Sequence, residues 1–247
     1  MNAIGVIPAR WGSTRFEGKL LADLCGKPVI QHVWENAKKA KTLDDLVVAA
    51  DNEKIIRAVE GFGGKAVFTS PDQPSGTDRL AEVVNPLDVK IVVNIQGDEP
   101  LVQAIMIDNL VMTLAGEKNA QMATIIKRIE QKDEVANPNV VKVVIDKNGF
   151  ALYFSRSPIP YDRAAQEGDG KIPVYYKHIG LYAFTKDFLF TFRNLPHSTL
   201  ESAEKLEQLR VLEFGYKIKV VETKFDTVGV DTPEDLEKVR RIVAEKK

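Results

Sequence analysis

Short apolar runs alternate with segments of helical period through the first half of the chain. "AIGVIP" reads as a strand and is followed by a polar Gly/Arg loop. In the next segment, "PVIQHVWENAKKA", Ile30, Val33, Trp34 and Ala37 fall on one helical face. "LVVAA" is a second strand, ended by Asp51, which the pattern offers as N-cap of a helix over "NEKIIRAVEGF". Gly63-Gly64 stops that helix, and "KAVF" resumes as a strand. After the turn-rich "SPDQPSGT" come a helix at "DRLAEVVN" and the strand "IVVNI". Strands that are apolar almost throughout, interleaved with helices, indicate a parallel sheet covered on both faces.

The second half has a different rhythm. "VVKVVIDKNGFALYFSR" reads as a hairpin turning at Asn148-Gly149. Residues 157–173 hold Pro, Gly and charge with no period, which reads as a loop. "HIGLYAFT" and "YKIKVVET" read as strands, and residues 202–214 as a helix. In the closing "VDTPEDLEKVRRIVAEKK", Thr232 suits an N-cap and Pro233 a first helical residue. Glu234 and Asp235 complement the dipole of that helix. No internal repeat or low-complexity segment interrupts the 247 residues, and the hairpin is the one candidate seam.

Composition narrows the function classes more than the fold. A net charge of -1 gives no global attraction to nucleic acid or to an anionic membrane surface. Lys+Arg at 34 against Asp+Glu at 35 still leaves room for a local basic cleft. The single cysteine, Cys25, has no intrachain partner, which fits a reducing compartment. The start "MNAIGVIPAR" lacks the pattern of a signal peptide, and no apolar run approaches the ~20 residues of a membrane span. The expectation is a cytoplasmic protein with neither nucleic-acid nor membrane partners.

Ligands of open parallel sheets bind at the carboxyl ends of strands. Three polar loops leave such ends: residues 9–19, 70–77 and 96–100. The first carries Arg10, Arg15 and Lys19 among small residues, the makings of an anion site. It is not a P-loop, written G-x-x-x-x-G-K followed by Ser or Thr. Five residues separate Gly12 from Gly18 here, and Leu20 stands where the hydroxyl should be. The third loop, "NIQGDEP", delivers Asp98 and Glu99 at a strand end. Mg²⁺ takes one or two carboxylates and completes its shell with water and phosphate oxygens, so a basic and an acidic loop side by side suggest a Mg²⁺–nucleotide site. Read alone, Asp98 is as readily a turn cap, and Asp231 a cap of the last helix.

Seven motifs in order carry a resemblance: "IPARWGSTRFEGK", "NIQGDEP", "NPNVVKVV", "ALYFSRSPIPYDR", "HIGLYAF", "LEQLRVLEFGYKI" and "GVDTPEDLEKVR". Together they resemble the 3-deoxy-D-manno-octulosonate (Kdo) cytidylyltransferases, or CMP-Kdo synthetases, from about residue 3 to residue 241. The family's loop has Leu, Pro and Pro where this chain has Phe16, Glu17 and Leu20; the cations and Ser13 match.

The resemblance implies an α/β fold of the nucleotide-diphospho-sugar transferase type. That fold is a Rossmann-like, mostly parallel sheet with helices on both faces, plus a smaller hairpin-containing subdomain for sugar binding and dimerisation. One domain is expected over 1–247, with residues 1–135 mainly for nucleotide, 136–225 mainly for sugar and dimer contacts, and 226–247 returning to the core. The implied reaction is CTP + Kdo → CMP-Kdo + pyrophosphate, dependent on Mg²⁺, in a homodimer serving lipopolysaccharide synthesis. Arg10, Arg15 and Lys19 would meet the triphosphate, with Pro8, Ala9, Ser13, Ser75 and Gly76 also at the CTP. Asp98 and Asp231 would hold the metal. Gln96, Arg156, His178, Glu207 and Gln208 would bind Kdo, and residues 157–173 would close over it. Two rivals stand beside this reading: a CMP-sialate synthetase, whose opening motif has S-K where this chain has Ser13-Thr14-Arg15 and which lacks "YFSRSPIP", and a non-catalytic nucleotide-sugar sensor on the same fold.

Overall fold

A computed structural model describes residues 2–12, 15–163 and 174–245. In chain order its strands are β1 (Ala3–Ala9), β2 (Asp23–Leu24), β3 (Lys27–Pro28), β4 (Asp45–Ala50), β5 (Ala66–Phe68), β6 (Ile91–Asn94), β7 (Met122–Arg128), β8 (Lys142–Ile145), β9 (Ala151–Ser155), β10 (Tyr176–Thr185) and β11 (Ile218–Glu222). The helices are α1 (Val29–Ala37), α2 (Glu53–Gly61), α3 (Gly76–Val84), α4 (Ala104–Gly116), α5 (Lys132–Ala136), α6 (Lys186–Asn194), α7 (Thr199–Glu204), α8 (Gln208–Glu213) and α9 (Pro233–Glu245).

The main sheet runs β11-β7-β10-β6-β1-β4-β5, with β8 and β9 branching from β10. Strands β1, β4, β5 and β6 are mutually parallel, as their apolar runs predict. Strand β10 enters between β6 and β7 antiparallel to both, and β11 pairs parallel with β7. The sheet is thus mostly parallel with one reversed strand at its centre. Alternation divides β1 between two layers. Ala3, Ile7 and Ala9 join a core with Ile30, Val33, Ile55, Met106 and Leu110, while Ile4 and Val6 join Leu80, Val84, Phe188, Phe192 and Leu209. Each of the Val, Ile, Leu, Met and Phe side chains among them contributes about 1.5–3 kcal/mol of transfer free energy when fully buried.

The expected hairpin is present as β8–β9. Gly149 takes φ 74, and the Asp146 carboxylate accepts from the N–H groups of Asn148 and Phe150. Two local expectations are corrected. Asp51 does not cap α2; Asn52 does, accepting from Lys54 N, while Asp51 is turned inward to Arg79. Residues 202–214 are not one helix, because Lys205 adopts φ 55 and separates α7 from α8. Of the loop at 157–173, residues 157–163 have no regular structure and 164–173 lie outside the described residues.

Candidate active site

Four chain segments meet at the carboxyl ends of β1 and β6. Strand β1 delivers Pro8, Ala9 and Arg10, and the chain then loops back to Lys19. Gly18 makes that return in the left-handed region at φ 68, with its N–H on the Trp11 carbonyl and the Trp11 ring 3.1 Å from where a Cβ would stand. Strand β6 runs out into Gln96-Gly97-Asp98. An added Cβ at Gly97 would sit 3.0 Å from the Pro8 carbonyl oxygen, so glycine lets the two strand ends close up. Ser75 caps α3, accepting from Asp78 N, and thereby turns that helix's N-terminus toward β1.

The fourth segment carries Asp231 without regular structure, and several bonds hold it in place. Val230 is fully buried and its N–H donates to the Asp98 carbonyl at 2.8 Å. Upstream, Asp226 is gripped by Lys127 (2.6 Å) and Lys177 (2.9 Å). Downstream, Thr232 and Asp235 cap α9 reciprocally, with Thr232 N on Asp235 Oδ2 and Asp235 N on Thr232 Oγ1. Together these segments enclose a cavity of about 370 Å³ lined by Pro8, Ala9, Arg10, Lys19, Ser75, Gly76, Gln96, Asp98 and Asp231, with Arg79. Most of the nucleotide candidates are therefore side by side. Arg15 stands at the edge, bonding Asp231 at 3.0 Å, and Ser13 lies outside the described residues.

Lys19 links the two carboxylates, its Nζ lying 2.5 Å from Asp98 Oδ2 and 2.8 Å from Asp231 Oδ1. Burial disfavours the ammonium charge, but Asp98 and Asp231 outweigh it and hold the Lys19 pKa above its usual value. Burial likewise opposes ionisation of Asp231, yet Lys19 and Arg15 keep its pKa below the carboxylate range. Glu99 beside them is pushed up to about 7 by burial and by the Asp98 charge, partly offset by a hydrogen bond from Thr227. Net charge in the site is thus near balance until a polyanion arrives.

The donor chemistry suits a hard divalent cation. Two carboxylate oxygens meet one ammonium hydrogen-bonding centre, and Asp98 and Asp231 keep 27% and 43% of their side-chain surface exposed. Among the described residues no cluster of three or more His, Cys, Asp or Glu side chains forms a closed metal cage. A Mg²⁺ here would draw two protein oxygens and leave the rest of its shell to water and phosphate, its usual habit.

The sugar candidates fall in two places. Gln96, Glu207 and Gln208 line a recess of about 160 Å³ together with Thr77, Asn94 and Tyr182. Glu207 is fixed by Thr77 Oγ1 (3.1 Å) and Arg210 Nη2 (2.9 Å). Two buried polar atoms here have no partner among the described residues, Gln208 Nε2 and Asn94 Oδ1. Such orphans call for a ligand or water. Arg156 and His178 instead line a larger cleft of about 930 Å³, shared with Arg15, Glu99, Lys177 and Asp231.

His178 is packed edge-on to Phe154 and against Tyr182. The Thr124 hydroxyl has one proton and a carbonyl, Leu181 O, at 2.9 Å to receive it. His178 Nε2, 2.9 Å from that hydroxyl, therefore donates, leaving Nδ1 as acceptor. Burial pushes His178 down to about 3, so it stays neutral at working pH.

Arg79 escaped the sequence reading. Its Nη1 reaches Thr69 Oγ1 and the Ser70 carbonyl, and its Nη2 lies 3.2 Å from Asp51 Oδ2. Asp51 Oδ1 in turn accepts from Trp11 N at 2.8 Å. This buried pair ties the ends of β1, β4 and β5 to α3 beside the cavity. An acid ending one apolar strand and an arginine on the inward face of a later helix was the available signal. Tyr182 and Asn94 sat inside quoted motifs but had no individual signal.

The chain resembles known proteins over nearly its whole length. A family model described as cytidylyltransferase matches residues 4–218. The 3-deoxy-manno-octulosonate cytidylyltransferase of Thermodesulfovibrio yellowstonii is 54% identical, covering 96% of each chain. That of Geobacter sulfurreducens is 50% identical over 97% of this chain and 98% of its own. Among solved structures, a CMP:2-keto-3-deoxy-manno-octonic acid synthetase complexed with CTP superposes with a TM-score of 0.93 at 43% identity, covering 100% of both chains.

Proposed function

The chain belongs to the 3-deoxy-manno-octulosonate cytidylyltransferase family, and from that premise we propose that it condenses CTP with Kdo to give CMP-Kdo and pyrophosphate. The observation that carries this reading is the meeting of Lys19, Asp98 and Asp231 at the mouth of a cavity floored by the ends of β1 and β6. The anomeric hydroxyl oxygen of Kdo forms a bond to the α-phosphorus of CTP, the α–β bridge breaks in line, and the hydroxyl proton leaves to solvent or a base. Such chemistry needs positioning and charge neutralisation more than covalent help.

In this reading Arg10, Arg15 and Lys19 meet the triphosphate, Pro8, Ala9, Ser75 and Gly76 border the nucleoside, and Ser13, outside the described residues, is assigned to CTP by the resemblance alone. Asp98 and Asp231 would hold Mg²⁺, and the ion would supply Lewis-acid neutralisation of phosphate charge. Lys19 stays charged, so incoming phosphate oxygens compete with the two carboxylates for its three donors. Gln96, Glu207 and Gln208 present amide and carboxylate groups to the sugar hydroxyls. Arg156 offers a cation for the sugar carboxylate, and His178 a neutral acceptor. We extend the reading to a cytoplasmic homodimer that supplies lipopolysaccharide assembly. No described helix is long and apolar enough to cross a membrane.

The test is pyrophosphate release with Mg²⁺ from CTP, UTP, ATP or GTP, each with Kdo, sialic acid or no sugar. Release with CTP plus Kdo alone is expected. Release with CTP plus sialic acid would keep the chemistry and overturn the sugar assignment. Nucleotide binding without release would favour a sensor.

A further inference from the structure

Lys142 is fully buried, on the face of β8 where an aliphatic side chain would ordinarily be placed. Its Nζ donates to three backbone carbonyls: Asn137 at 2.8 Å, Val140 at 2.6 Å and Arg156 at 2.6 Å. An ammonium has three donors, so all are used, and none goes to a carboxylate. Burying a charge that only neutral carbonyls satisfy is costly, and a packed apolar side chain would avoid that cost. The lysine is therefore explained by what it holds.

What it holds is a closed circuit around Arg156. Two of the three carbonyls belong to the turn before β8, and the third is that of Arg156 itself, just after β9. Arg156 Nη1 returns to the same turn, donating to the Pro138 carbonyl at 3.0 Å. Its Nε donates to the Glu204 carbonyl at 2.8 Å, and its backbone N–H to Glu204 Oε2 at 2.9 Å. Among the described residues, two of the five guanidinium N–H groups are thus spent on carbonyls, which leaves three for a ligand. Arg156, Asn139 and Val140 line the large cleft together.

We propose that Lys142 is a positioning residue for the sugar acid. It touches no substrate; it fixes the turn at 137–140 and the Arg156 backbone, so that the free edge of the guanidinium is aimed before a carboxylate arrives. The proposal rests on the reading of Arg156 as the sugar-carboxylate cation, and the experiment separates the two.

Steady-state kinetics are measured for Lys142→Met, Arg156→Gln and the double variant, titrating Kdo at saturating CTP and CTP at saturating Kdo. Losing a supporting partner typically costs 10–100-fold, so Lys142→Met should raise the KM for Kdo about tenfold or more while the KM for CTP stays within about twofold. Because Lys142 acts through Arg156, the double variant should be no worse for Kdo than Arg156→Gln alone. Lys142→Gln keeps two donors and serves if the methionine variant does not fold; it should show the same split, smaller. A fall in thermal stability with both KM values unmoved, or moved together, would make Lys142 merely structural and overturn the proposal. Fully additive losses would also overturn it. An unchanged KM for Kdo in Arg156→Gln would overturn the carboxylate role of Arg156, and this proposal with it.

Discussion

Asp98→Asn removes a charge and keeps a shape, so it isolates what the carboxylate does. Asp98 is part-exposed and bonded to Lys19, and the variant should fold normally. Turnover should nonetheless fall about 100-fold or more, as for loss of one preorganised charge-stabilising group. Near-normal turnover with unchanged Mg²⁺ dependence would remove Asp98 from the metal. Gln208 makes a complementary case, because its Nε2 is a buried donor without a partner among the described residues. Replacing an orphaned polar group by a similar apolar one relieves a desolvation cost. Gln208→Leu should therefore leave the melting temperature unchanged or raised, yet raise the KM for Kdo; a lower melting temperature with normal KM would make Gln208 structural. His178 carries a pH signature. Its folded pKa, about 3, lies below its unfolded value of 6.5, so between those values the unfolded chain binds a proton that the folded one refuses. Its contribution is complete above the unfolded pKa and is lost as pH falls through that window, at up to ~1.4 kcal/mol per pH unit. Urea midpoints at about pH 7 and pH 5 should differ less in His178→Gln than in the wild type, and equal differences would contradict the neutral histidine.

At the scale of elements, neighbouring residues at the end of β4 separate a cap from a clamp. Asn52→Ala loses the α2 cap, costs about 1 kcal/mol and leaves turnover unchanged. Asp51→Ala strands buried Arg79, should cost about 3 kcal/mol or more, and should raise the KM for CTP by freeing Trp11 N and the strand ends. Equal effects of the two would return Asp51 to the role of a cap. Strands were legible because β1, β4 and β6 are buried on both faces and their apolar runs have no competing period. The break between α7 and α8 was not, since Lys205 takes a left-handed conformation without the glycine that announces one. Helix α4 was equally silent. Ile105 and Met112 are apolar on its exposed side, which blurs the period set by Met106, Ile107, Leu110 and Leu114.

Over the whole molecule, a net charge of -1 conceals a site in which Arg15 and Lys19 converge on Asp98 and Asp231 from three separated stretches. That the loops carrying Arg10, Lys19 and Asp98 would lie side by side was legible, because parallel topology gathers strand-end loops, whereas Asp231 read alone as a helix cap. The sugar half could not be read from spacing. Gln96 and Glu207 line one recess and Arg156 and His178 another, all from separate elements, with His178 on the reversed strand β10. Only ordered motifs pointed there.

Transfer of a cytidylyl group from CTP to Kdo at this centre is read out by the fate of phosphorus. CTP labelled at the α or at the γ position is incubated with the protein, Mg²⁺ and Kdo, and the products are separated. The α label should appear in the sugar product and the γ label only in pyrophosphate. A γ label on the sugar, or an α label left in free CMP with no sugar adduct, would contradict the account.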